Sequence, residues 1–350
     1  MGPVNPMLSD APGMSVTDTE DVGWYQVEHL SAPGTVRRAA MSLADRLGFG
    51  ESRAGEVGII ASELASNQIK YSERGVVLLR SCRRGDEVGV ELVAVDSGPG
   101  MTDLAGAFAD GRSTSGTLGI GLGAVARLAT SWDGYSVPGQ GTVLHAAVGP
   151  DGTSRLGGLA QVAGLTRPIR GEAVCGDAHS TLVRGGIVST LLVDGLGHGP
   201  LAAQVAQVAI RAFDAAPEDS AGGLLMAVHR ALTGTRGAAA AVLQYDGRGL
   251  TYAGIGNITG WITDGERRQA MISVPGIVGV RGRAVRELSY GFSERSAVII
   301  HSDGVTDRLD LRGRRGLFAC SPVVIAATTM RDFGIRHDDA AVLVLLPDGR

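Results

Sequence analysis

The sequence predicts an α+β protein built as two domains, and three observations carry that prediction. The chain has 350 residues, which at about 150 per domain makes two. Its texture changes around 149–158, where GPDGTSRLGG is small and polar, as linkers are. On both sides of that run, apolar residues recur with the periods of helices and of strands.

Residues 1–23 are rich in Pro, Gly, Ser and Asp with few apolar anchors and read as a flexible tail. In 24–149, the spacing of Val36, Ala39, Ala40, Leu43 and Leu47 is helical, and Gly48 ends the helix. A second helix covers 54–71 on Val57, Ile60, Ala61 and Leu64. Strands follow at 76–80 and 89–95 across a turn at 83–86, then a helix at 119–128 and a strand at 142–148. This order gives one sheet under one helical layer. After the 150–158 linker, residues 159–350 carry strands at 186–193, 239–245, 250–255, 297–301 and 340–346, with helices at 201–215 and 223–233. Many strands around two helices predict two sheets flanked by helices. No repeat relates the halves.

Composition excludes several functions. The net charge is -4, whereas nucleic-acid-binding domains are strongly basic. Aromatics are 4% of residues, too few for a base-stacking surface. Cys82, Cys175 and Cys320 are odd in number and far apart, without a CxxC, which argues against a disulfide framework or a zinc site. No stretch reaches the roughly 18 apolar residues of a membrane span. The N-terminus lacks the basic start and apolar run of a signal peptide, so a cytoplasmic location is expected. Lys70 is the one lysine among 32 basic residues, which singles it out.

The first constellation is Glu63, Asn67 and Lys70, spaced i, i+4, i+7 on one helical face. Alone it is compatible with a solvated polar stripe. It is followed by Asp96-Ser-Gly98-Pro-Gly100 after an apolar strand, then by STSGTLGIGL, with Gly116, Gly119 and Gly121 running into a helix. A strand-end acid fixes an acceptor at a cavity mouth, and glycines before a helix expose N–H donors suited to phosphate. Each glycine pattern alone fits a plain turn. The spacing is neither a P-loop nor a dinucleotide fingerprint.

In combination, ELASN, DSGPG, DGRSTSGTLGIGL and GQGT resemble the GHKL (Bergerat) ATP-binding fold shared by gyrase, the heat-shock chaperone Hsp-ninety, histidine kinases and anti-sigma-factor kinases. ELASN followed by DGRSTSGxLG is most similar to the stressosome switch kinase, the RsbT type. The resemblance spans about 28–148. It implies that Asn67 holds the Mg²⁺ of ATP and that Asp96 accepts from the adenine amino group. Gly98, Gly100, Gly116, Gly119 and Gly121 would shape the nucleotide lid, and Thr142 would support the adenine end. Glu63 would be the base orienting the incoming hydroxyl, and Lys70 a phosphate neighbour. A histidine kinase is disfavoured, because no helical hairpin with an acceptor His precedes the domain.

The second constellation places acids at strand ends: Gly176-Asp177, Asp194-Gly195-Leu-Gly-His198-Gly199, Ser302-Asp303-Gly304 and His337-Asp338-Asp339. One such Asp is commonly a turn former. Several at the ends of central strands gather hard oxygen ligands for Mn²⁺ or Mg²⁺, and an ion pair can clamp a phosphoryl group. The pattern over about 159–347 resembles the SpoIIE branch of the type-2C metal-dependent Ser/Thr phosphatases, an α-β-β-α sandwich, and DGLGHG is most similar to the RsbX type. The resemblance implies that Asp194 bridges two metals and that the Gly195 carbonyl adds a ligand. Asp177 would serve one ion, and Asp303 with Asp338 the other. Asp339 lies beside the expected ligand and keeps that choice open. No phosphate-binding Arg stands directly before Asp177, although Arg167 and Arg170 are close. His198 is expected to cap or pack, His301 to sit in a strand, and Asn257 to support a turn.

These resemblances imply a bifunctional signalling enzyme using ATP, Mg²⁺ and two Mn²⁺ or Mg²⁺. It would phosphorylate Ser or Thr of an STAS-type anti-sigma antagonist or stressosome-like protein, and remove such a phosphate. The rival reading is a nucleotide-sensing or sigma-factor-binding module that gates an active phosphatase. Neither nucleic acid nor membrane is an expected partner.

Overall fold

The computed structural model describes residues 14–72, 74–84, 87–108, 121–150, 162–280, 285–335 and 337–347. The chain forms two compact units. One holds 19–160 together with 314–332, and the other holds 1–18, 161–313 and 333–350.

The N-terminal unit contains β1 (Met14–Val27) from Thr19 onward, α1 (Ala32–Arg46), α2 (Glu51–Tyr71), β2 (Gly75–Arg84), β3 (Glu87–Asp96), α3 (Leu104–Phe108), α4 (Gly121–Leu128), β4 (Ser131–Ser136) and β5 (Thr142–Val148). The strands run in the order β1-β2-β3-β5-β4. The period of 2 along a strand decides what faces the helices. Val77 and Leu79 of β2, Leu92 and Ala94 of β3, and Leu144 and Ala146 of β5 pack against Val57, Ile60, Ala61 and Leu64 of α2. Pro33 sits in the first turn of α1, where a missing N–H is harmless. Gly48, at φ 82, follows its end.

The opposite sheet face is buried too. Arg80 is 1% exposed, with its Nε 2.6 Å from Asp21 Oδ1 and its Nη1 2.9 Å from Glu91 Oε2, its register partner on β3. Burial disfavours the guanidinium charge, and the two carboxylates outweigh that and hold its pKa above normal.

The second unit contains β6 (Val162–Arg167), β7 (Asp177–Arg184), β8 (Ile187–Gly195), α5 (Gly199–Ala215), α6 (Ala221–Ala231), β9 (Ala238–Tyr245), β10 (Gly249–Ile255), β11 (Thr259–Thr263), β12 (Arg268–Met271), β13 (Glu287–Gly291) and β14 (Ala297–His301). β15 (Ala340–Leu345) closes it, whereas α7 (Pro322–Phe333) lies, but for Phe333, in 314–332 and so with the N-terminal unit. Strands β13-β10-β9-β8-β7 lie side by side, and β12-β11-β14-β15-β6 form a second antiparallel sheet. Leu191 and Val193 of β8 face α5 and α6, packing on Val205, Phe213 and Leu225. Leu192, between them in sequence, faces the other way, into a core shared with Ile300 of β14 and Leu343 of β15. Ser220 caps α6 by accepting from Gly223 N at 3.0 Å.

Two boundaries differ from the sequence reading. The expected tail is a strand from Met14 onward, and Met14–Thr17 pair with Thr181–Arg184 of β7. Backbone ladder bonds need no apolar side chains, so composition did not reveal it. Residues 314–332 lie between phosphatase-like motifs in sequence but fold with the N-terminal unit. The linker at 150–158 falls almost wholly outside the described residues.

Candidate functional sites

Asp96 ends β3, paired with Gly75 of β2 on one side and Thr142 of β5 on the other. Its Oδ1 accepts from Gly98 N at 2.7 Å. Burial raises its pKa, opposed by the Gly98 and Thr142 amides and by Arg331. The glycines around it are sterically required. A Cβ on Gly98 would stand 2.7 Å from the Tyr71 carbonyl at the end of α2, and one on Gly100 only 2.1 Å from the Val137 carbonyl. Thr142 is buried, its Oγ1 2.9 Å from Ser136 Oγ.

Gln68 joins this strand end to α2. Its Nε2 donates to the carbonyls of Val76 (2.9 Å) and Val95 (3.1 Å). That side chain pins the last turns of α2 to β2 and β3 beside Asp96. Asn67, next to it in the chain, is half-buried, and its Nδ2 is buried with no hydrogen-bond partner. An unsatisfied buried amide is costly, and a polar ligand would relieve it. Glu63 lies one turn earlier on α2, half-buried, and Lys70 is exposed. Gly121 opens α4, and a Cβ added there would meet nothing within 4 Å. Gly116 and Gly119 lie outside the described residues.

In the second unit, Asp177 at the start of β7 and Asp194 near the end of β8 are direct register partners. Ser302 Oγ donates to Asp177 Oδ2 at 2.6 Å and accepts from Ala341 N at 2.9 Å, which ties β7 to the second sheet. Asp303 follows Ser302, and Asn257 Nδ2 donates to its Oδ2 at 2.7 Å. Asp338 Oδ1 accepts from the Asp339 amide at 2.9 Å. Asp339 is 3% exposed and both its oxygens are taken, by Ile169 N (2.6 Å) and Gly176 N (2.8 Å). Gly195 N donates to the Gly176 carbonyl at 3.2 Å. A side chain at Gly195 would meet the Ala202 carbonyl at 2.5 Å.

Burial and neighbouring acids raise the pKa of Asp177, Asp194 and Asp303. Asp177 is held well above the usual carboxylate range by burial first, then by Asp194. Asp194 is pushed up to about 7 by burial, then by Asp303, with Asp338 and Asp339 contributing. Asp303 is raised by burial and by Asp338. A crowd of carboxylates like this matches the donor chemistry of a divalent cation. Among the described residues, however, no three His, Cys, Asp or Glu side chains already stand at coordinating geometry.

Several expectations are revised. His198 precedes α5 but makes no side-chain cap; its Nδ1 lies 3.2 Å from Glu172 Oε1, at the surface. Asn257 donates to Asp303. His301 does end β14, buried, with its Nδ1 2.9 Å from the Ser302 carbonyl. Arg167 donates to the Ile335 carbonyl at 2.7 Å. Sequence reasoning missed Gln68, which directly follows ELASN, and Ser302, which stands inside SDG.

Residues 27–147 match the family model of the histidine kinase-like ATPase domain. The serine/threonine-protein kinase RsbT of Bacillus subtilis (strain 168) is 36% identical over 110 residues, which are 31% of this chain and 83% of that protein. Through its N-terminal unit the chain belongs to the RsbT family. Residues 184–346 match the model of stage II sporulation protein E (SpoIIE), so the chain fuses an RsbT-type ATPase domain to a SpoIIE-type domain. A solved chain of the bacterial stressosome, a modular system adapted to control secondary-messenger signalling, is 29% identical. It has a TM-score of 0.48 and covers 53% of this chain and 97% of its own. RsbX in complex with magnesium is 19% identical at a TM-score of 0.45, with coverages of 53% and 94%. No helix among the described residues is long and apolar enough to cross a membrane.

Proposed function

We propose that this RsbT-type, SpoIIE-type fusion is a bifunctional regulator of sigma-factor signalling. Its N-terminal domain transfers the γ-phosphoryl group of MgATP to Ser or Thr of an STAS-type antagonist or stressosome-like protein. Its C-terminal domain removes such a phosphate with divalent metal. The observation that supports the reading is the acid cluster itself: Asp177 and Asp194 are register partners, Ser302 orients Asp177 and the next residue, Asp303, is held by Asn257, an arrangement whose repulsion a cation would relieve.

In the first domain, Asp96 fixed by Gly98 N is the acceptor for an adenine amino group, with Thr142 behind it. Asn67 would offer its side-chain oxygen Oδ1 to the phosphate-bound Mg²⁺, and Lys70 adds charge near the phosphates. Gly98, Gly100, Gly116, Gly119 and Gly121 let backbone approach the nucleotide. Glu63 orients the incoming hydroxyl and takes its proton. Phosphoryl transfer asks mainly for such positioning and charge neutralisation.

In the second domain, Asp177, Asp194, the Gly195 carbonyl, Asp303 and Asp338 would hold two Mn²⁺ or Mg²⁺. Bound ions would neutralise the phosphate and make a water more acidic. Asp339, with both oxygens engaged by backbone amides, fits a structural clamp better than a ligand. Ser302 and Asn257 orient Asp177 and Asp303, as groups behind metal ligands generally do.

Manganese-loaded protein is expected to hydrolyse p-nitrophenyl phosphate and phosphoserine-STAS substrate, and inertness toward both defeats the phosphatase half. Glu63→Gln should keep ATP binding and lose transfer. If wild-type protein binds ATP, transfers nothing to any STAS protein and yet changes its phosphatase rate, the nucleotide-sensing reading replaces the kinase.

A further inference from the structure

Asp194 and Gly195 end β8, and the chain then turns through Leu196 and Gly197 into α5. The residues ahead of β9 hold that turn. Leu196 N donates to the Gly237 carbonyl at 3.2 Å, and the Leu196 carbonyl accepts from Arg236 Nη1 at 3.0 Å. Gly197, at φ 97, leaves the guanidinium its room, because a Cβ there would stand 2.9 Å from Arg236 Nη1. The backbone around Arg236 is fixed on both sides. Thr235 Oγ1 donates to the Leu232 carbonyl at 2.7 Å and accepts from Gly237 N at 3.0 Å. Ala238 and Ala239, which follow, are the register partners of Gly195 and Asp194. The guanidinium is thus anchored one residue past Gly195, within the second unit throughout.

Arg236 is exposed. Among the described residues, the Leu196 carbonyl is its one hydrogen-bond partner and no carboxylate pairs with it. Arg230 and Arg312, also exposed in this unit, are each paired, with Glu218 and Asp310. Arg167 is turned to the Ile335 carbonyl. So an arginine tethered beside the acid cluster keeps its charge and most of its donors uncommitted. A phosphate monoester is repelled by carboxylates, and bound ions are already partly neutralised by those same carboxylates. A guanidinium fork matches two phosphoryl oxygens and takes no metal-binding position.

We propose that Arg236 is the phosphate-binding arginine of the phosphatase site. Its uncommitted donors take the substrate's phosphoryl oxygens next to the ions at Asp194 and the Gly195 carbonyl, while Nη1 stays on Leu196. The inference rests on the proposed metal site. It adds the group that recognises the phosphate there, a role for which no arginine stands directly before Asp177.

The test titrates inorganic phosphate, the product of the reaction, into the manganese-loaded full chain by calorimetry. Manganese affinity, thermal melts, and KM and kcat for p-nitrophenyl phosphate are measured alongside. Arg236→Gln keeps an amide donor for the Leu196 carbonyl and loses the charge. Phosphate affinity should fall and KM should rise about 10–100-fold, with kcat and manganese affinity within about threefold of wild type and the melting temperature unchanged. Arg236→Lys, which restores the charge without the fork, should recover part of the loss. Arg170→Gln, at an exposed position before β7, should match wild type. Unchanged phosphate affinity in Arg236→Gln overturns the inference. A loss of manganese affinity as large as the loss of phosphate affinity does so too, because Arg236 would then only clamp the turn. Wild-type protein that binds manganese but no phosphate defeats the inference alone. Wild-type protein that binds no manganese removes the metal site, and the inference with it.

Discussion

Asp177 and Asp194 face each other across the β7–β8 ladder, two acids at one register position where like charges oppose pairing. This is a destabilising arrangement for the fold by itself. A bound cation would offset that repulsion.

Asp194→Asn should therefore stabilise the metal-free protein while reducing phosphatase activity by at least about 100-fold. The sign follows from the raised pKa. The folded state holds the Asp194 proton more tightly than the unfolded chain, so stability is lost as pH climbs from 3.8 to about 7. The variant escapes that loss. Its advantage should be absent at the acid end and reach about 1–3 kcal/mol above neutrality, read from thermal melts in chelator across that range.

Ser302→Ala removes the donor to Asp177 and the acceptor for Ala341 N. A buried amide and a carboxylate oxygen both lose a partner, which should lower stability by about 1–3 kcal/mol. Manganese affinity should fall about 10–100-fold, as for other groups that orient metal ligands. Asn257→Ala should show the affinity loss with little change in melting temperature, because its bond to Asp303 is at the surface. Isothermal titration with Mn²⁺ alongside thermal melts separates the two.

Asp338 and Asp339 should part company under substitution. Asp339→Ala orphans the amides of Ile169 and Gly176 and should destabilise by about 2–4 kcal/mol even without metal. Asp338→Ala should leave the metal-free melting temperature near wild type and weaken manganese binding. The opposite pattern would make Asp339 the ligand.

Around the proposed nucleotide site, Gly139 and Gly141 make a matched pair. Both have positive φ, 77° and 78°. Only at Gly141 would a Cβ strike anything, the Asp96 carbonyl at 2.1 Å. Gly139→Ala should cost about 1 kcal/mol of strain and leave ATP binding intact. Gly141→Ala should displace the Asp96 peptide and weaken fluorescent-ATP binding at least about tenfold.

Much of this was legible in the sequence because strong periodic signals and short motifs mark it. The expected strands at 142–148 and 297–301 coincide with β5 and β14, and helix 54–71 lies within α2. The residues that hold the site together were harder to see. Gln68 acts by reaching two carbonyls on other strands, and nothing in a helical pattern tells a clamp from a surface amide. The difference between Asp338 and Asp339 is invisible in a DD dipeptide and plain once the two amides on Asp339 are seen. The strand character of Met14–Gly23 rests on backbone pairing, and the docking of 314–332 rests on tertiary contacts. Local composition encodes neither.

The most direct test follows radiolabel from γ-³²P-labelled ATP in a mixture of the full chain, Mg²⁺, Mn²⁺ and an STAS protein, comparing wild type with Asp194→Asn. Label should appear on the STAS protein transiently with wild type, leaving as inorganic phosphate, and should persist with Asp194→Asn. An STAS protein that stays unlabelled with Asp194→Asn, or that loses its label equally fast with both, would contradict the account of two opposed chemistries in one chain.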